Sequence, residues 1–211
     1  MSSSAPSIRE GATALPLLYE VFLLSGFAAL IYQVVWQRAL FTIYGVNIES
    51  VTIVVTTFMI GLGLGSLAGG AFSRDPRRNL LRAFGVIELG IGVFGIFSLD
   101  LFHWIGNRTA GGTQARTLLF TFAVLLVPTM LMGGTLPLLV AHRVRRLRNV
   151  GRSVSVLYFV NTLGSGLAAL VASLWVLGRL GQHRTVALAA GINGLVGGAI
   201  LLLSFRRGRR S

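Results

Sequence analysis

Glu88 is the residue best placed to do chemistry, because it interrupts a largely apolar run that begins at Leu80. A carboxylate taken out of water costs several kcal/mol unless it is protonated, paired or facing an aqueous cavity. Counting along a helix from the start of that run places Glu88 roughly 12 Å deep, beyond the reach of a headgroup. Asn161 lies at a comparable depth in a second apolar run, and Thr135 slightly shallower in a third. Glu88, Thr135 and Asn161 therefore form a candidate intramembrane polar cluster. Two roles fit it equally: a proton or substrate site, or an interhelical hydrogen-bond set that fixes packing.

A second group, Tyr32, Gln33, Trp36, Gln37 and Arg38, sits toward the far end of the first apolar run, with Glu20 near its start. Tyr32 and Trp36 share a helical face at a spacing of four. Interfacial anchoring is expected of Trp36, whereas Gln33 and Arg38 can also be buried against neighbouring helices. Cysteine is absent, which excludes thiol redox chemistry, disulfides and thiolate metal sites. His103, His142 and His183 fall at helix ends or loops on both sides and do not converge, so neither metal nor cofactor is expected.

The elements that must position these residues are six apolar stretches, near 16–41, 51–72, 80–102, 117–140, 153–177 and 185–205. Each approaches the roughly 20 residues that a helix needs to cross a hydrocarbon core of about 30 Å. A composition of 54% hydrophobic and 12% charged residues, with mean hydropathy +0.76, is far from that of a soluble domain. The expected fold is all-α, a polytopic bundle of six transmembrane helices in the plasma membrane. Residues 1–14 form a disordered tail, 15–205 the transmembrane domain and 206–211 an arginine-rich tail. The first stretch is too long, and too weakly preceded by positive charge, for a cleaved signal peptide.

All 19 basic residues are arginine, and the net charge is +13. The arginines are dispersed in short loops, so they read as topology determinants and anionic-lipid contacts, and nucleic acid is not an expected partner. An inside N-terminus puts Arg9, Arg74 to Arg82, Arg143 to Arg152 and Arg206 to Arg210 on the cytoplasmic side. Only Arg108, Arg116, Arg179 and Arg184 fall outside, with Arg38 near the outer end of the first helix. The positive-inside rule then places both termini in the cytoplasm, with loops 44–50, 103–116 and 178–184 outside.

Gly61, Gly65 and Gly69 line one face of the second stretch and let another helix approach closely. Gly164 with Ala168, and Gly194 with Gly198, repeat the device in the fifth and sixth. Packing within the bundle is the expected use. Pro128 and Pro137 remove backbone donors from the fourth helix and are expected to bend it, and broken helices in membranes often border cavities.

Ser25-Gly26-Phe27-Ala28-Ala29-Leu30-Ile31-Tyr32-Gln33-Val34-Val35-Trp36-Gln37-Arg38 resembles the opening helix of membrane-bound spermidine synthase-like proteins. Met132-Gly133-Gly134-Thr135-Leu136-Pro137-Leu138 is similar to that family's Met-Gly-Ala-Thr-Leu-Pro-Leu segment. Tyr158 with Asn161-Thr162-Leu163-Gly164 resembles its Tyr-x-x-Asn-Thr-x-Gly helix, and Glu88-Leu89-Gly90-Ile91-Gly92 fits as well. The likeness runs in order over about 25 to 185. It implies membrane helices joined to a Rossmann-like domain that resembles aminopropyltransferases and acts with decarboxylated S-adenosylmethionine and a polyamine. After Phe205 only Arg206-Arg207-Gly208-Arg209-Arg210-Ser211 follows, so the expectation is a noncatalytic chain onto which no catalytic residue carries over. Gly61 to Gly70, running into an arginine-rich loop, also resembles half of a major facilitator transporter, although Arg74 stands where that motif has its acidic residue.

Three functions follow from this reading. The first is a noncatalytic subunit or scaffold of a larger membrane complex. The second is a homodimeric half-transporter or binder of a small cation such as a polyamine, with Glu88 as counterion. The third is the membrane half of a split aminopropyltransferase. The expected partners are the lipid bilayer and either other membrane subunits or a second copy of the chain.

Overall fold

A computed structural model describes residues 7–44, 47–109 and 112–208. The described residues are helical almost throughout, with no strand among them: α1 (Ser7–Tyr44), α2 (Asn47–Ser73), α3 (Leu80–Thr109), α4 (Gln114–Leu147), α5 (Val150–Val171) and α6 (Leu177–Gly208), with a π-turn at Ala172–Val176 between the last two. α1 begins upstream of residue 15, where the first unit was expected to start. Residues 1–6 and 209–211, parts of the two expected tails, lie outside the described residues. Pro128 and Pro137 both lie inside α4.

Five helical runs are long and apolar enough to cross a membrane: Pro16–Thr42, Val51–Ser73, Leu80–Thr109, Ala115–Leu147 and Val150–Phe205. Six were expected, and the difference lies in the last run, which is 56 residues long. The loop expected at 178–184 is helical instead, apart from Gly181 at φ 72°, ψ 177°. That conformation is open to glycine and costly for other residues, so one residue replaces a loop. The chain reverses there. Leu177 lies beside Arg38, Val186 and Ala189 pack in the cluster around Trp36, and Val196 and Ile200 pack in the cluster around Leu18 and Phe22.

Side chains of minimal size set the helix spacings. Cβ atoms at Gly61, Gly65 and Gly69 would run into Thr129, Met130 and Gly134 of α4, and one at Gly133 would meet the backbone of Leu62. Gly164 similarly lies against the backbone of Leu23, joining α5 to α1. In α6 the expected pair Gly194 and Gly198 faces open space, and Gly197 makes the close approach instead, to Gly85 of α3. Residues 197 and 198 are adjacent but about 100° apart around a helix, so a glycine-rich run alone does not identify its packed face.

The connection between α2 and α3 is held by a residue from α4. The Arg145 guanidinium donates to the carbonyls of Ser73 and Asp75, each at 2.8 Å, of Arg78 at 3.2 Å and of Pro76 at 3.4 Å. The α3 and α5 N-termini are capped by Asn79 and Asn149, which accept from the backbone N–H of Arg82 and Arg152 at 3.1 and 2.9 Å.

Candidate functional site

The buried apolar side chains form two clusters stacked along the bundle. One surrounds Trp36, Leu99 and Val186, and the other surrounds Phe22, Phe84 and Ile200. On five helices a polar residue stands between the two levels: Ser25 after Phe22, Glu88 after Phe84, Thr135 after Met132, Asn161 after Leu157 and Asn193 after Ala189.

Glu88 is fully buried within that layer. Ser25 Oγ donates to its Oε1 at 2.6 Å, and Asn193 Nδ2 donates to its Oε2 at 2.6 Å. Neither donor is a cation, so the carboxyl is hydrogen-bonded on both oxygens by neutral groups. Asn193 is 1% exposed, and its Oδ1 is buried with no partner. A buried acceptor left without a donor is uncommon and calls for an occupant or a role.

Ser25 and Asn193 both face a cavity of about 310 Å³, whose other polar walls include Gln33, Thr135, Asn161 and Ser165. Its apolar walls include Phe22, Phe58, Ile91 and Met132. Of the three residues expected to cluster, Thr135 and Asn161 line this chamber, while Glu88 stands behind Ser25 and Asn193. The Thr135 hydroxyl donates within its own helix, to Met132 O at 2.7 Å. Asn161 packs against Gly26, where a Cβ would lie 2.6 Å from Asn161 Oδ1, and Ser165 donates to Gly26 O at 3.1 Å. Apolar walls with a few convergent polar groups are the usual make-up of a small-molecule site, and the volume is at the lower end of the range for such pockets.

The outer group separates differently from expectation. Trp36 is buried at 0% exposure and donates from Nε1 to Ser98 Oγ at 2.9 Å, so it is not an interfacial anchor. Tyr32 is equally buried and stacks on Trp36, with ring centroids 5.1 Å apart. An aromatic pair spaced by four can face a bundle as well as a headgroup layer. Here Gly95 is what admits the pair, because its missing side chain leaves room for the Tyr32 ring. Gln33 lines the Glu88 chamber, and Arg38 is exposed beside Gln37 and Ser173.

Ser25 and Asn193 are the site residues that the sequence reading passed over. Asn193 carried a usable signal, since it is a lone amide in the apolar run of α6. Ser25 carried little, because a serine in such a run satisfies itself on its own helix as readily as it meets a carboxyl. Among the described residues no three His, Asp or Glu side chains approach closely enough to share a metal ion.

The chain is distantly similar to polyamine aminopropyltransferases over most of its length. It is 29% identical over 187 residues to Polyamine aminopropyltransferase 2 of Streptomyces coelicolor, which covers 84% of this chain and 32% of that protein. It is 23% identical over 192 residues to Polyamine aminopropyltransferase 1 of the same organism, covering 90% of this chain and 34% of the relative. The chain thus spans about a third of the length of the curated relatives it matches. No family model and no solved structure matches it.

Proposed function

We propose that this chain is a noncatalytic, six-span membrane module of a polyamine-handling system, and that it binds a small cationic amine in the chamber beside Glu88. The observation that carries the reading is the buried Glu88 carboxyl, held by Ser25 and Asn193 against a polar-lined cavity. An ammonium group in that chamber meets the unpartnered Asn193 Oδ1 and the field of the carboxyl behind it. Similarity to polyamine aminopropyltransferases names the amine class. The described residues hold no strand and hence no α/β nucleotide-type fold, so we assign the transfer chemistry to a catalytic unit outside them.

The membrane part of the reading rests on the apolar exterior. Leu67, Leu174 and Leu195 are more than 70% exposed, a pattern that suits lipid and is unfavourable in water. The 56-residue run then counts as two spans. At 1.5 Å per residue it is about 84 Å long, against a core of about 30 Å, and Gly181 provides the reversal.

The test is binding of radiolabelled spermidine to the purified protein in mild detergent. Glu88→Gln is expected to weaken binding by roughly 30-fold or more, as removal of a buried charge partner does, while the protein still elutes as a folded species. Unchanged affinity in Glu88→Gln would sink the proposal. The scaffold reading is favoured by the apolar outer faces, which another membrane subunit could cover as well as lipid. Its test is extraction from the native membrane, where a stoichiometric partner subunit supports it and an isolated homodimer counts against it.

A further inference from the structure

A second cavity of about 700 Å³ lies between α2, α3 and α4 and shares no lining residue with the Glu88 chamber. It exists because Ala68, Gly69 and Gly134 present little or no side chain to it, and its lining is otherwise almost wholly apolar. At one end the lining changes to Arg78 and Arg82. Both guanidinium groups lie over rings: Arg78 is 4.1 Å from the centroid of Phe72, and Arg82 is 4.7 Å from that of Phe205. A ring over one face of a guanidinium leaves N–H groups for a planar or tetrahedral oxyanion. Arg78 is shared with Asp75 at 3.3 Å. The segment 74–82 nevertheless holds four arginines against that one carboxylate.

The groove has the dimensions of one leaflet. From Asn79 to Ile87 on α3 it rises about 12 Å, and from Met130 to Leu138 on α4 it rises by the same amount. Half of the hydrocarbon core is about 15 Å. On the orientation that the arginine distribution implies, the arginine end faces the cytoplasmic headgroups. We propose that this groove is a binding site for an anionic glycerophospholipid, with an acyl chain against Ala68, Gly69 and Gly134 and the phosphate on Arg78 and Arg82. The inference rests on the membrane reading and is independent of what the Glu88 chamber holds. Basic pockets between helices on the cytoplasmic side are where such headgroups collect.

Native mass spectrometry of the detergent-purified protein, titrated with phosphatidylglycerol or with phosphatidylcholine of the same acyl chains, tests the site. Wild type is expected to retain phosphatidylglycerol roughly tenfold more tightly, allowing about 1 kcal/mol per arginine near the surface and a discount for Asp75. The double variant R78Q/R82Q should bring the two lipids level, and Ala68→Trp, which fills the groove from an exposed position, should weaken both. Arg179→Gln, at the opposite end of the bundle, should leave the preference intact. Equal binding of both lipids by wild type, or selectivity that survives R78Q/R82Q, overturns the site. Flotation with vesicles is measured alongside. A protein that does not float defeats the membrane reading itself, whereas one that floats without lipid preference defeats only the groove.

Discussion

The α2–α4 seam offers the sharpest test of the packing argument, because two glycines two residues apart on α2 have opposite surroundings. A Cβ added at Gly65 would lie 2.7 Å from the Met130 carbonyl carbon and 2.9 Å from its Cα, whereas one added at Gly63 meets nothing within 4 Å. Ordinary van der Waals contact begins near 3.4 Å, and the Met130 carbonyl oxygen is nearer still than its carbon, so Gly65→Ala forces the helices apart by at least 3.4 − 2.7 = 0.7 Å. The opposing atoms are backbone and cannot rotate away. A gap of that size forfeits about a quarter to a half of the dispersion energy of the contacts it opens, and α2 and α4 make the most extensive helix–helix contact in the fold. We expect Gly65→Ala to cost about 3 kcal/mol, the upper end of the range for overpacking. Gly63→Ala should be neutral or stabilising by up to about 1 kcal/mol, from helix propensity alone. Reversible unfolding in mixed micelles of sodium dodecyl sulfate, followed by circular dichroism, reads the difference. Equal stability of the two variants would refute the claim that the glycine face sets the helix spacing.

Three other outcomes follow from the described geometry. Trp36→Phe removes the donor to Ser98 and is expected to destabilise by about 1–3 kcal/mol. In brominated phospholipid its remaining emission, from the exposed Trp104 and Trp175, should be quenched almost completely, whereas wild type keeps a shielded component. Arg145→Gln should release the 73–78 connection, and limited trypsin digestion from the cytoplasmic face should then cut at Arg74, Arg77 or Arg78 markedly faster than in wild type. The lack of cysteine makes topology directly measurable: Gly112→Cys should react with an impermeant maleimide on intact cells, and Gly151→Cys only after permeabilisation. The reverse pattern would invert the proposed orientation.

Apolar run length and the depth of lone polar residues were legible because both follow from solvent exclusion, which acts on each segment by itself. Glu88, Thr135 and Asn161 were singled out that way, and along its own helix each lies between residues of the two apolar clusters. Rotation about the helix axis was not legible, because it depends on partners that no single segment specifies. Trp36 turned inward for that reason, since its place is made by Ser98 and Gly95, more than 50 residues downstream. Gly197 rather than Gly198 meets α3 for the same reason, and Asn193 rather than Thr135 meets Glu88. The vanished 178–184 loop is a separate matter: arginine and glutamine there resemble loop composition, yet a single glycine at positive φ is enough to turn the chain.

The Arg145 clamp and the glycine face of α2 both bind to α4, and together they constrain the order of assembly. In translation order α2 and α3 emerge as a hairpin, yet the face of α2 that packs most closely finds its surface only when residues 129 to 134 arrive, and the connection at 73–78 finds its donor only at residue 145. Close packing of small residues is what drives helices together in lipid, so α2 has little reason to stay docked before then. On the membrane reading, α1 and α3 can already meet through the hydrogen bonds of Ser25 to Glu88 and of Trp36 to Ser98, whereas α2 would wait beside them, and emergence of the fourth helix would be the event that docks it.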